Sequence, residues 1–412
     1  MSGPTFHGAA ATEGVLSAET RGRNLTLLCV SALTIMSGAT ISASLPGIEA
    51  HFVETEGAAL LSRLMLTLPA IFIAGLAPVA GVIADRFGRK RLLLLSLVVF
   101  ALAGSSGLVL DSLPALLVGR AVLGVSVAGI MTTATALVGD FFEGVARDRY
   151  MGFQAAFVGI GGAIFLSGGG LLADIHWRGP FAIYCLAFAL LPAVLALIPE
   201  PQRAAARSVT ETKQGIRHGF ALPLALVLLA ACLHFAIFYM LPTQLPFYLK
   251  SLGISQPSRA GIAIGAGQVV GVLAALSFSR VRSRIGRMGV FALGFAALGA
   301  GYIGLGSAQS YAGILAATAI TGISMGMMTP NLSASLLAIA PPALRGRLSG
   351  ALIAAIFAGQ FISPLASQPL VRDWGYAAAF TSAGALLGAL ALVCLVSRML
   401  LAVRPRQQED RA

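Results

Sequence analysis

Apolar residues run along this chain in blocks of about twenty, separated by short polar or charged breaks, from residue 25 almost to the end. A block of that length crosses the hydrocarbon core of a bilayer as a helix. The pattern predicts twelve helices, at about 24–46, 59–83, 91–110, 113–139, 150–173, 179–198, 220–242, 259–281, 288–307, 311–339, 347–370 and 375–401. One interruption is long and polar: residues 199–219, EPQRAAARSVTETKQGIRHGF. It divides the chain into a six-helix bundle at 24–198 and another at 220–401, with tails at 1–23 and 402–412. The stretch from Asn24 to Pro46 is longer than the core of a signal peptide, so it is expected to be retained as the first helix.

An even number of spans puts both termini on one side. Of the 28 lysines and arginines, 22 lie in the tails and in the breaks on that side. Five (Arg63, Arg178, Lys250, Arg259, Arg372) lie on the other, and Arg120 falls inside a helix. The positive-inside rule makes the richer side cytoplasmic, with both termini there, in what is expected to be a bacterial cytoplasmic (inner) membrane.

The two halves match at a constant offset of 198 residues. Gly88-Arg89 returns as Gly286-Arg287, and Gly124-x-Ser126 as Gly322-x-Ser324. Arg147-x-Arg149 with Gly152 returns as Arg345-x-Arg347 with Gly350, and Gly161 as Gly359. A gapless register over three helices is hard to obtain by chance. Six helices per half give the two repeats the same orientation, and transporters built this way hold their substrate between the halves.

Composition narrows the function. The chain is 57 % hydrophobic and 11 % charged, against about a quarter charged in soluble domains. The net charge of +12 sits in the breaks between apolar runs, which argues against a nucleic-acid surface. Cys29, Cys185, Cys232 and Cys394 all fall within apolar runs, at spacings unsuited to zinc, and are expected to be packing residues. Without a Walker-type phosphate loop, no cofactor is expected, and an ion gradient, of protons, is the expected energy source. The expected partners are the lipid bilayer and a small-molecule substrate, with the protein a monomer.

The break GVIADRFGRKR (81–91) carries five charges among eleven residues. It resembles the signature between helices 2 and 3 of the major facilitator superfamily, filled by Gly81, Asp85, Arg86, Gly88, Arg89 and Lys90. LLVGRAVLGVSVAG (116–129) is similar to the family's helix 4 motif through Arg120 and Gly124. GGAIFLSGGGLLAD (161–174) lies where drug/proton antiporters carry a glycine-proline motif, although Phe165 and Leu166 replace the Gly-Pro pair. HWRGPF (176–181) also looks like the drug-exporter branch. The second-half copy of the signature, SRVRSRIGRMG (279–289), has Ser283 where the first has Asp85.

The resemblance implies an all-α fold of two parallel six-helix repeats that works by alternating access. It makes the charged break a conformational latch. Asp85, at the cytoplasmic end of helix 2, would be held by Arg345 and the positive N-terminus of helix 11 when that side is closed. Asp140 would partner Arg89. The alternative is a solvated loop that only sets topology. By resemblance, helices 1, 4, 7 and 10 line the cavity. Met36, Ser37 and Thr40 would contribute from helix 1, Thr132 and Thr133 from helix 4, and Tyr239 and Gln244 from helix 7. Thr318, Thr321, Met325 and Asn331 would come from helix 10 and Gln360 from helix 11, with plain helix packing as the other account of each. Gly159 and Gly162 on helix 5, with Gly261, Gly265 and Gly271 on helix 8, are expected to let the halves slide against each other.

No carboxylate lies in the middle of a predicted helix, unlike many proton-coupled relatives. Arg120 and His234 remain as ionisable groups inside the membrane. Arg120 has three open roles: substrate anion ligand, proton coupling, or hydrogen bonding to backbone carbonyls. For His234 the choices are proton carrier or buried neutral residue bonded to a neighbouring helix. The leading expectation is proton-coupled efflux of a drug, metabolite or siderophore-like compound. The alternatives are uptake or symport of an anionic solute and, more remotely, a membrane-embedded enzyme or sensor.

Overall fold

The computed structural model describes residues 18–201, 221–341 and 344–403. Residues 1–17, 202–220, 342–343 and 404–412 lie outside them, and with them most of the expected linker and the first residue of the expected helix 7. Ten continuous helical segments among the described residues are long and apolar enough to cross a membrane. Two of these break, at Gly286 (φ 70°) and Gly375 (φ 80°), which makes twelve spans. The first half holds α1 (Ala18–Ala39, continued by a 3-10 turn at Ser42–Ser44 and a short helix Leu45–His51), α2 (Ala58–Phe87) and α3 (Arg89–Ser105). It is completed by α4 (Leu113–Phe141), α5 (Gly144–Ile175) and α6 (a 3-10 segment Gly179–Cys185 running into Leu186–Leu197). The second half holds α7 (Ala221–Phe238 with Met240–Ser251), α8 (257–285), α9 (287–307), α10 (Tyr311–Ile339), α11 (345–374) and α12 (376–403).

Three boundaries correct the sequence reading. The expected tail overlaps α1, whose helix begins at Ala18. Helix 1 was expected as one run to residue 46 but breaks after Ala39 and resumes as Leu45–His51. Helix 7 likewise extends to Ser251, in two pieces. Periodicity does not mark such breaks, because the chain stays apolar through them. Cys185 is exposed rather than packed.

The 198-residue register has structural counterparts. Gly88 (φ 99°) and Gly286 (φ 70°) both turn the chain between the second and third spans of their half, in a backbone region that favours glycine. Ser112 caps α4 by accepting from Ala115 N at 3.4 Å, and Ser310 caps α10 by accepting from Gly313 N at 3.2 Å. A Cβ on Gly124 would meet the Pro69 carbonyl on α2, and one on Gly322 would overlap the Gly267 carbonyl on α8. Three pairs of positions, each 198 apart, thus do the same work in both halves.

Each half has its own apolar core. The outward faces carry large exposed apolar side chains such as Ile175, Leu222 and Leu276, a surface suited to lipid. The halves meet along α5 with α8 and α2 with α11. A Cβ on Gly261 would overlap the Leu166 carbonyl, and one on Gly265 would lie 2.8 Å from the Ser167 hydroxyl. Gly159 faces Val272, and Gly162 faces Gln268 and Ile35. Gly271 is different: it packs against Gly322 on α10, within the second half, so it takes no part in the contact between the halves.

Candidate functional site

Between the halves lies a cavity of about 330 Å³. Its wall draws on α1, α2, α4 and α5 of the first half and α7, α8, α10 and α11 of the second. Phe235, Phe238, Tyr239 and Phe357 supply aromatic surface, and Met131 and Met325 deformable apolar surface. Ser37, Thr34, Thr321, Thr329, Gln268 and Gln360 supply the polar groups. Gln360 is 8 % exposed and has no hydrogen-bond partner among the described residues, so its amide can offer a donor and an acceptor to a solute. No charged side chain is among the wall residues.

Several residues expected in the wall are elsewhere. Met36 and Thr133 are fully buried in the first half's packing, and the Thr133 hydroxyl donates to Gly129 O on its own helix at 2.7 Å. Thr40 packs against Gly169 of α5 and Thr318 against Gly267 of α8. Asn331 accepts from Arg282 at 3.0 Å and donates to Arg287 O at 3.3 Å, tying down the Gly286 turn. Gln244 belongs to a cluster at one end of the cavity. Ser37, Tyr239, Thr321, Met325 and Gln360 do line the wall. Thr132 lines the mouth.

That mouth is a space of about 540 Å³ at the end carrying residues 81–91. It shares Ile73, Met131 and Ile353 with the cavity and adds Arg89, Asp140 and Arg147. Arg89 forms an ion pair with Asp140 and donates to Ala136 O at 3.2 Å, so the end of α4 holds the start of α3. Asp85 is well exposed, and its ion-pair partner is Arg89 at 3.7 Å. Arg345 is exposed at the start of α11. Among the described residues no bond joins it to Asp85, so the contact expected between these two is not made here. Arg86 is exposed at the end of α2, where Gly81 faces Thr132 of α4. At Gly88, Glu200 accepts from the Arg89 and Lys90 amides at 2.7 and 3.4 Å, neutralising donors that a helix start leaves free. Lys90 itself donates to Leu195 O at 2.8 Å.

The opposite end is shut. Every residue from Met240 to Leu249 is buried. The Ser42 hydroxyl donates across the halves to Pro242 O, and Asp174 of α5 accepts from the Ser258 amide at the start of α8 at 2.9 Å. Arg63, counted with the outer breaks in the charge tally, is buried at 2 % exposed. It pairs with Glu49 at 2.6 Å, donates to Gln244 at 3.0 Å and lies 3.6 Å over the Phe247 ring. The sequence signal for it was a lone arginine between apolar residues in LLSRLMLTL (60–68).

Arg120 is buried behind the cavity wall. Its guanidinium donates to Met65 O at 2.9 Å, to the Tyr184 hydroxyl at 3.0 Å and to Ser37 O. Tyr184 donates in turn to Met36 O at 2.8 Å. Met36 and Ser37 lie in the last turn of the first piece of α1, where helical partners for the carbonyls run out and Met36 O accepts from Thr40 N only at a long 3.4 Å. Arg120 and Tyr184 thus seal the break in α1, and a cation there also suits the negative end of the helix. Of the three roles open to Arg120, this geometry matches the bonding to carbonyls. His234 is buried, as one of its two readings expects, but it makes no bond to a neighbouring helix among the described residues. Its ring lies among Phe235, Phe238 and Phe295, and neither nitrogen has a partner among the described residues.

Twelve membrane-spanning helices in two like halves, with a central cavity open at one end and shut at the other, define a solute transporter. The model of the Major Facilitator Superfamily matches residues 27–364 and 273–412, and the chain belongs to that family. It is 26 % identical to the 3-(3-hydroxy-phenyl)propionate transporter of Escherichia coli over 79 % of this chain and 83 % of that one. It is 34 % identical to multidrug resistance protein 1 of Bacillus subtilis, over 31 % of this chain and only 33 % of that protein. Among solved structures, the inward-open xylose transporter XylE from E. coli superposes with a TM-score of 0.72 at 16 % identity, covering 90 % of this chain and 95 % of that one. A bacterial homologue of the human lysosomal transporter Spinster, inward-facing and unoccupied, gives 0.70 at 16 %, covering 93 % and 96 %.

Proposed function

We propose that this transporter exports uncharged, amphiphilic aromatic molecules in exchange for protons. Its basic end would face the cytoplasm, so the cavity described here is open inward. The observation that carries the reading is the cavity wall: aromatic and thioether surface, a few hydroxyls and two glutamine amides, with no charged side chain among the residues that form it. A neutral solute leaves no buried charge uncompensated in such a site. The relatives named for drug resistance support the export direction, and the lysine and arginine count supports the sidedness.

Exchange of a neutral solute for a proton moves one charge per cycle. Inside-out vesicles test this. An imposed pH gradient, acid in the lumen, should drive accumulation of a neutral dye. A potential of about 100 mV alone, lumen positive, should support up to roughly fiftyfold accumulation. Fluxes indifferent to both gradients would refute proton coupling. A second reading has its own support: Arg89 and Arg147 at the mouth, with the hydroxyphenylpropionate relative, suit uptake of aromatic carboxylates. Preferential movement of such acids inward would favour it.

A further inference from the structure

The shut end of the cavity is built around a charge that lipid and protein interiors tolerate badly. The Arg63 guanidinium is 2 % exposed, and its ion-pair partner Glu49 is about one-third exposed. Both belong to the first half, Glu49 on the short outer piece of α1 and Arg63 on α2. What they touch in the second half is neutral. Arg63 Nε donates to Gln244 Oε1 at 3.0 Å, and the guanidinium plane sits 3.6 Å over the Phe247 ring. Gln244 then donates to Ser367 at 3.0 Å and Gln368 at 3.3 Å, both on α11. A continuous line of polar contacts therefore runs from α1 through α2 and α7 to α11 across the end of the cavity. Phe247, though part of α7, packs into the core of the first half, and Tyr376 packs against the cores of both.

The division of charge matters. Opening this end must separate the contacts between halves, but it need not separate Arg63 from Glu49. The buried cation keeps its counter-ion as the halves part, and what is exchanged for water is neutral: the Gln244 amide, the Phe247 ring face and the Tyr376 hydroxyl. Breaking a buried ion pair would be far more costly.

We infer that the Arg63–Glu49 pair is the gate at this end, carried as a unit by the first half, and that Gln244 with Phe247 is its neutral, releasable catch. The assignment rests on the proposed sidedness only for which face of the membrane the gate meets.

Thiol labelling tests it in a protein whose four native cysteines are replaced by serine, with a single reporter cysteine at Met131 in the cavity wall. A membrane-impermeant maleimide is applied to right-side-out and inside-out vesicles. The parent should label from the cytoplasmic face and be protected from outside. Arg63→Ala should raise labelling from outside at least about tenfold, because the shut state loses its catch. Gln244→Glu should do the opposite: it turns the neutral catch into a second counter-ion, holds this end closed and abolishes transport while cytoplasmic labelling persists. Arg178→Ala removes an outer arginine that pairs with Asp111 inside the first half, and should leave labelling unchanged. Unchanged outside labelling in a folded, monodisperse Arg63→Ala protein would overturn the gate. So would full transport by Gln244→Glu. A parent that labels only from outside would overturn the sidedness alone, and Arg63→Ala must then raise labelling in inside-out vesicles.

Discussion

Arg120→Ala separates the roles that the sequence leaves open for this residue. In the structure the substitution removes three hydrogen bonds: two from a cation to the Met65 and Ser37 carbonyls and one to Tyr184. All three are donated by the guanidinium, and charge-assisted bonds contribute about 1.5–3 kcal/mol each, so the gross loss is roughly 5–9 kcal/mol. Removing a buried cation without a carboxylate partner returns part of that, leaving a net destabilisation on the order of 3 kcal/mol. At about 2–4 °C per kcal/mol for a bundle of this size, the melting temperature in detergent should fall by roughly 6–12 °C. Tyr184→Phe, which loses the bond to Met36 O and one acceptor for Arg120, should fall by about a third as much. The assay is thermal unfolding followed by tryptophan fluorescence, with solute binding measured at a temperature where both variants remain folded. Folded Arg120→Ala protein should bind a neutral solute within about threefold of the parent. An unchanged melting temperature with binding lost would refute the structural role and return Arg120 to the substrate.

Other outcomes follow from the same geometry. His234→Phe replaces two unpartnered buried nitrogens with apolar surface among Phe235, Phe238 and Phe295; it should raise stability by about 1–2 kcal/mol and keep proton-driven flux, checked by unfolding and vesicle transport. Gly322→Ala would drive a methyl into the Gly267 carbonyl, so the yield of monodisperse protein should collapse in size-exclusion chromatography. Asp85→Asn should insert and fold normally, since Asp85 is exposed here, yet slow transport at least about tenfold by weakening closure at the basic end. Normal flux through a correctly inserted Asp85→Asn protein would dismiss the latch.

What the sequence could disclose divides along physical lines. Twelve spans were legible because lipid imposes an apolar block on each, and the two-half plan because duplication leaves a register. The breaks in α1 and α7 were not, since both sides of each break are equally apolar. Arg120 was visible as an oddity, but its partners are mostly backbone carbonyls, which any residue supplies and no motif records. Arg63 was hidden by charge counting, which treats an arginine near a helix start as a loop residue. Gln360 and Tyr239 were found in the wall because they lie on helices 11 and 7. Met36, Thr133 and Thr318 lie on helices just as suitable but point into packing, and rotation about a helix axis is weakly encoded when every face is apolar. Asp85 pairs here with Arg89, its neighbour one turn on, so the contact expected with Arg345 across the halves is not one this structure makes.

The glycine turns at 88 and 286 are twins in backbone shape, yet the aspartate before the first is a serine before the second. Copying preserved the hinge and discarded the magnet. The molecule is accordingly ambidextrous in form and uneven in electrostatics: of the two turns at the basic end, only the first carries a carboxylate. Grafting Ser283→Asp would give the second turn one as well, tilting the resting population toward the posture in which that doorway is closed.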